Sequence, residues 1–260
     1  MTVIDCHIHL NCADGRYDEE EVQRCLALAD RAGIDRMVYL MFLSNGQVDP
    51  QQADLITSND IGIELVRRHP ERFSSFCYLN PSLPEAFSLA EIERCFVDGP
   101  LVGIKLWISV LADDPRLDPI MARAAELNVP VLHHAWYKAS GFVYNESTPA
   151  QVATLARRHP DVTIVMAHLA GGGWRGVRDV RDCPNVVVDT SGAQPHAGLV
   201  EYAVEELGAG RVVFGSDWPI RDFAVQRARV DGAELTQEQK ALILGGTMER
   251  LLANGAGDVR

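Results

Sequence analysis

The stretch VIDCHIHLN, residues 3–11, ends a β-branched apolar run on two histidines one residue apart. Side chains alternate between two faces along a strand, so His7 and His9 share a face. Strict alternation adds Asp5 to that face and sends Ile4, Cys6 and Ile8 to the other, toward a helical layer. Similar runs recur at 36–42, 73–79, 101–107, 129–134, 162–168, 185–190 and 211–216. The segments between them have helical spacing. In the first, Val22, Cys25, Leu26 and Ala29 fall at i, i+3, i+4 and i+7. Asp18 followed by Glu21 reads as a capping box, and Gly33 stands where a helix-ending glycine belongs. Eight strands, each followed by a helix, predict an α/β fold: a (β/α)8 barrel forming a single domain over residues 1–260. An open doubly wound sheet is the runner-up, but no glycine-rich phosphate loop follows the first strand.

Composition narrows the function. The chain has 36 acidic and 24 basic residues, a net charge of −12. That disfavours nucleic acid or an anionic membrane as partner, since both select a basic face. A small-molecule substrate fits, and a homo-oligomer stays open. No apolar run reaches the length of a membrane span, and no signal segment opens the chain. The six cysteines form no C-x-x-C pair and read as reduced thiols, which predicts a cytoplasmic protein.

The eight histidines sort by position. LVRRHPERF (65–73) and LARRHPDVT (155–163) repeat one junction: a helix ending in two arginines, a proline stop, then a strand. His69 and His159 therefore lie before strands, at the bottom of a barrel, where residues serve stability. Barrel enzymes work at the opposite rim. His7 and His9 end the first strand there, His133 and His134 the fifth, His168 the sixth and Asp217 the eighth. A lone histidine at a strand end is commonly just a satisfied polar group. Several imidazoles and a carboxylate on one rim instead suit a divalent ion such as zinc, which can activate water near neutral pH. In the fourth strand, outward Ile104 and Leu106 turn Lys105 inward; the chain has only two other lysines, Lys138 and Lys240.

DCHIHL, GIKLW, PVLHHAW, VMAHLAGG and VFGSDWP, in this order, resemble the amidohydrolase superfamily. They are most similar to the branch that includes aminocarboxymuconate-semialdehyde decarboxylase-like and dicarboxylate lactonase-like enzymes. ERFSSFCYLNP (71–81) resembles that branch's third strand, so the likeness spans nearly the whole chain. It implies metal ligands at His7, His9, His134 and Asp217, with His133 as the parity alternative to His134. It implies catalytic roles for Asp217, as proton acceptor from water, and for His168, as acid–base or polarising group. It implies one divalent ion, Zn2+ in the first instance, or two if Lys105 is carboxylated and bridges them. The branch also contains a metal-independent lactonase.

Further rim residues are candidates for substrate binding: Lys105, Trp107, Trp136, Trp174, Arg175 and His196. All four tryptophans, Trp218 included, follow strands, where large planar side chains suit an aromatic or unsaturated ligand. Lys105 is read as a carboxylated bridge, a cation for a substrate carboxylate, or an ion-pair partner of Asp5. Asp189 and Ser191 read as hydrogen-bonding support. The first expectation is a metal-dependent hydrolase of a carboxylate-bearing ester, lactone or amide. The second is a non-oxidative decarboxylase or hydratase of an unsaturated or aromatic acid. The third, of another class, is a non-catalytic binding barrel, against which the intact ligand set argues.

Overall fold

The computed structural model describes residues 1–12, 15–42, 48–137, 144–169, 174–192 and 196–256. Lys138 and the glycines 171–173 of the HLAGGGW motif lie outside them. The strands are β1 (Ile4–Leu10), β2 (Arg36–Phe42), β3 (Phe73–Ser75), β4 (Cys77–Leu79), β5 (Ile104–Leu106), β6 (Val131–His133), β7 (Ile164–Met166), β8 (Val186–Asp189) and β9 (Val212–Val213). The third run is one strand position broken at Phe76, whose N–H bonds Tyr39 O while that of Cys77 turns to Gly103 O. All pairings are parallel, in the order β1-β2-β3 and β4 through β9. Cys6 N→Phe214 O at 2.9 Å and His9 N→Trp218 O at 2.7 Å join the last strand position to the first. The architecture is a (β/α)8 barrel.

Ten helices surround the described strands: α1 (Glu19–Ala32), α2 (Gln52–Arg68), α3 (Glu85–Ile92), α4 (Asp118–Leu127), α5 (Pro149–Arg158), α6 (Trp174–Val180), α7 (Leu199–Leu207), α8 (Phe223–Asp231), α9 (Gln237–Ala241) and α10 (Thr247–Ala256). Gly33 ends α1 at φ 66°, as its position predicts. The capping box is only half formed. Asp18 accepts from Glu20 N and Glu21 N, but the Glu21 carboxylate goes to Asn11 N and Arg24. The twin junctions are alike: His69 and His159 cap α2 and α5 and donate backbone N–H groups to Leu65 O and Leu155 O. No described helix is long and apolar enough to cross a membrane. All six cysteines are unpaired and buried.

Two apolar layers result. Met37, Tyr39, Ile104, Leu106, Val131, Ile164, Val186 and Val188 pack with the helices. Val38, Leu40, Phe76, Leu132, Val165, Val187 and Val213 fill the interior, with Met248 and Leu252 of α10 in the same cluster. Ile4 and Cys6 join this interior cluster, which corrects the strict alternation expected of the first strand. The cause is a register shift. Asp5 pairs with Met37 and Ile8 with Tyr39, so β1 carries one extra residue there. Above the bulge the phase is reversed: Ile8 and Leu10 pack outward. The histidines still face inward, but not for the reason their spacing suggests.

Phe76 fills the interior beside Gly103, and a Cβ at position 103 would sit 2.5 Å from Phe76 Cδ1 and Cζ. Phe76 is fully buried and has no room to yield. Gly103→Ala should therefore cost about 1–3 kcal/mol in denaturant unfolding, the usual penalty of overpacking. Adding Phe76→Leu should recover part of that loss, because the two sites share one space. A neutral Gly103→Ala would show that the interior gives way here.

Candidate metal and active site

Two neighbours aim each histidine of β1. His7 Nδ1 meets Asp189 Oδ2 at 2.8 Å, and His9 Nδ1 meets Met41 O at 3.1 Å. Both partners are acceptors, so both Nδ1 atoms carry the hydrogen and both Nε2 lone pairs are free. Both Nε2 atoms face Asp217 Oδ1, at 3.4 and 3.3 Å. Burial and the nearby charge of Lys105 hold the His7 pKa well below the usual histidine value, which keeps the ring neutral. Burial opposes ionisation of Asp217, but the facing His9 and His7 rings and the charge of Lys105 outweigh it and lower its pKa. Two neutral imidazoles and one carboxylate, all three donor atoms within 4.8 Å of one another, fit a divalent ion.

Backbone strain places two of the functional groups. Asp217 has φ 66° and His168 has φ 72°, both left-handed. Such conformations cost free energy in non-glycine residues and persist where packing enforces them. Asp217 N bonds His7 O at 2.8 Å, which ties the carboxylate to the strand that carries the histidines. In β7 and its extension, Val165 and Ala167 lie in the interior cluster, so alternation would turn His168 away. The left-handed turn brings it back to the cavity.

That cavity, about 290 Å³, is lined by His7, His9, His134 and His168, by Lys105, Glu146, Asp217 and Arg221, and by the apolar side chains of Met41, Trp107, Ile108, Trp136 and Ile220. At the fifth strand, His134 is the histidine that faces the cavity. His133 pairs beside Leu106 and bonds His134 O with its Nδ1, while His134 lines the cavity. Both ring nitrogens of His134 are engaged: Nε2 with Glu146 Oε1 at 2.8 Å and Nδ1 with His168 Nε2 at 3.0 Å. The chain continues from His168 Nδ1 to Ser191 Oγ at 3.0 Å, and Ser191 in turn donates to Asp189. His7, His168 and Asp189 also bring three donors together, but that group shares His7 with the first.

Lys105 sits in the interior row Tyr78–Lys105–Leu132–Val165–Val187 and is 1% exposed. Burial lowers its pKa to about 8, against the opposing pull of Asp217 and Asp189. Asp5 is not its partner. Asp5 Oδ1 instead accepts from His7 N and Ser216 N, and burial pushes its carboxyl up to about 7.

Three expected substrate contacts fall elsewhere. Arg175 has a 76% exposed side chain, lies over the Tyr137 ring and reaches toward Asp179. Trp174, 42% exposed, packs edge-on against Tyr202. His196 lines a separate, open cavity between α7 and α8. Each lies at the correct end of the barrel but is not among the side chains lining the central cavity. Trp218 is buried against Phe223 and covers the barrel. Glu146 and Arg221 line the cavity instead, and sequence reasoning missed both. Neither lies in a periodic segment. The one available signal for Arg221 was its place four residues after Asp217.

Parallel barrel, inward donors at the strand ends and a lined cavity together define a metal-dependent barrel enzyme. The sequence profile of the amidohydrolase family matches residues 4–253, and the chain belongs to that family. It is 24% identical to a gamma-resorcylate decarboxylase of Rhodococcus jostii, over 84% of this chain and 83% of that one. Its fold is similar to that of 5-carboxyvanillate decarboxylase from Sphingomonas paucimobilis, with a TM-score of 0.77 at 17% identity over 97% and 99% of the two chains. It is similar as well to a dihydroxybenzoic acid decarboxylase from Polaromonas sp. JS666, with a TM-score of 0.78 at 17% identity over 97% of each chain. That structure contains manganese and the inhibitor 2-nitroresorcinol.

The Lys105 assignment is directly measurable, because the chain has only three lysines. In metal-free protein, carbon NMR of labelled lysine should show one Cε signal titrating near pH 8, absent in Lys105→Met. Between that pH and the usual lysine range the unfolded chain binds the extra proton. This group therefore makes the fold more stable as pH rises through that window. Three ordinary lysine titrations would refute the buried placement.

Proposed function

We propose that this protein is a metal-dependent, non-oxidative decarboxylase of a small aromatic or unsaturated acid. One observation carries the reading: Lys105 is a buried cation in the same cavity as the His7, His9 and Asp217 donors, beside Trp107 and Trp136. No described carboxylate lies within ion-pair distance of its ammonium. A neutral ester needs no such cation, whereas an acid entering a largely dry cavity does. Sequence reasoning put hydrolysis first and decarboxylation second. The decarboxylases among the relatives favour reversing that order.

Decarboxylation breaks the carbon–carbon bond to the carboxylate, leaves the electron pair on the ring or chain carbon and releases carbon dioxide. One proton must then reach that carbon, and no oxidant or reductant takes part. His7, His9 and Asp217 would hold the ion, with His134 the further candidate ligand if it gives up one of its hydrogen bonds. When bound, the divalent ion supplies positive charge beside the reacting group. Lys105 binds the acid, and Trp107 and Trp136 flank its planar body. His168 is kept neutral by burial, and its contacts to His134 and Ser191 let it give or receive a proton. Two imidazoles and a carboxylate accept Zn2+ or Mn2+. The sharing of His7 by the two donor groups supports a single ion.

Elemental analysis should find close to one divalent ion per chain. His7→Ala combined with His9→Ala should remove it while the thermal unfolding transition remains. A metal-free protein with full activity in chelator would end the metal assignment. With 2,6-dihydroxybenzoate or 5-carboxyvanillate, the enzyme should release carbon dioxide without any redox cofactor. His168→Ala should slow that reaction about 100-fold, the scale of lost acid–base catalysis. Ring opening of lactones with no turnover of either acid would restore the hydrolase reading.

A further inference from the structure

The cavity contains a second cation that the reaction does not use. Arg221 lies on the loop between β9 and α8, beside the half-exposed Ile220 at the cavity mouth. Its place relative to the donor group is fixed: Arg221 N bonds Asp217 O at 3.1 Å, and the next residue, Asp222, caps α8. The guanidinium is poorly served by the protein. Nη1 donates to Ile220 O at 3.1 Å, while Nε is buried and has no hydrogen-bond partner. No described carboxylate pairs with this side chain, and the two in the lining are taken: Asp217 faces His7 and His9, and Glu146 binds His134. An arginine that merely solvates a surface keeps its donors in water. A buried Nε without an acceptor, on the edge that a carboxylate grips with two parallel bonds, is a vacancy for an anion.

We infer that Arg221 is the residue that selects a diacid: it holds a second carboxylate, retained through the reaction, while the first lies deeper with Lys105. This deepens the decarboxylase reading and rests on it. The two cations differ in depth, Lys105 fully buried in the barrel row and Arg221 at the mouth, so they offer two carboxylates separate partners in one cavity. Anchoring the carboxylate that does not react spends remote binding energy on orienting the one that does.

The test is binding of two acids that differ only in that group, 5-hydroxyisophthalate and 3-hydroxybenzoate, measured by calorimetry on the metal-loaded protein at fixed ionic strength. The wild type should bind the diacid about 10- to 100-fold more tightly, as a charge-assisted hydrogen-bonded pair requires. Arg221→Gln should erase that preference and leave the monoacid within about twofold. Arg221→Lys should keep part of it, since the charge survives and the fork does not. Equal wild-type affinity for the two acids, or a preference that survives in Arg221→Gln, overturns the role of Arg221 and leaves the decarboxylase reading standing. Failure of the wild type to bind either acid overturns both.

Discussion

The Asp189 carboxylate is the constraint on which the site depends. It is fully buried at the end of β8, and burial alone raises its pKa. Hydrogen-bond donors surround it: the His7 ring at 2.8 Å, His168 N and Ser191 N at 2.9 Å each, and the Ser191 hydroxyl. These four groups are the ones whose direction matters. The bond to His7 fixes its tautomer and presents Nε2 to Asp217. The bond to His168 N holds the left-handed turn that returns this histidine to the cavity. One desolvated anion thus orients a candidate ligand on β1 and the His168 ring after β7. The interaction also explains why the strained φ at His168 persists, since releasing it would leave a buried carboxylate short of a donor.

The hydrogen-bonded chain then runs onward through Ser191, His168 and His134 to Glu146. Its far end is held by the loop before α5. Trp136 N bonds Ser147 O at 2.8 Å and Ala112 N bonds Ser147 Oγ at 2.9 Å, which secures the residue next to Glu146. Burial lowers the pKa of both histidines in the chain. The rim is therefore a coupled network rather than a set of independent side chains, and substitutions along it should not add.

The barrel was legible in the sequence because parallel strands buried on both faces read as separate β-branched runs, and their rim ends carried the polar residues. Depth along each strand, and with it the sorting of His69 and His159 from the other histidines, followed from position alone. Facing was less legible. The bulge in β1 and the left-handed turn at His168 both break alternation, and each is enforced by contacts from distant strands. Loops were least legible. Trp174, Arg175 and His196 lie at the proper end of the barrel, but a position beyond a strand end does not fix the side from which a side chain is presented. Glu146 and Arg221 reach the cavity through loop bonds to Ser147 and Asp217 that no local pattern encodes.

Charge balance ties the site to its ligand. Among the lining residues, Lys105 and Arg221 offset Asp217 and Glu146, so the described lining is close to neutral. The whole chain is acidic, with net charge −12, so this neutrality is local. A divalent ion on the His7, His9 and Asp217 donors adds two positive charges that no described lining side chain remains to balance. In a cavity walled by Met41, Trp107, Ile108 and Trp136, water screens such a surplus poorly. A neutral ester would leave it standing, a monoacid would halve it, and a diacid would cancel it. On the decarboxylase reading proposed above, the same count that makes the metal-loaded cavity costly when empty favours an acid.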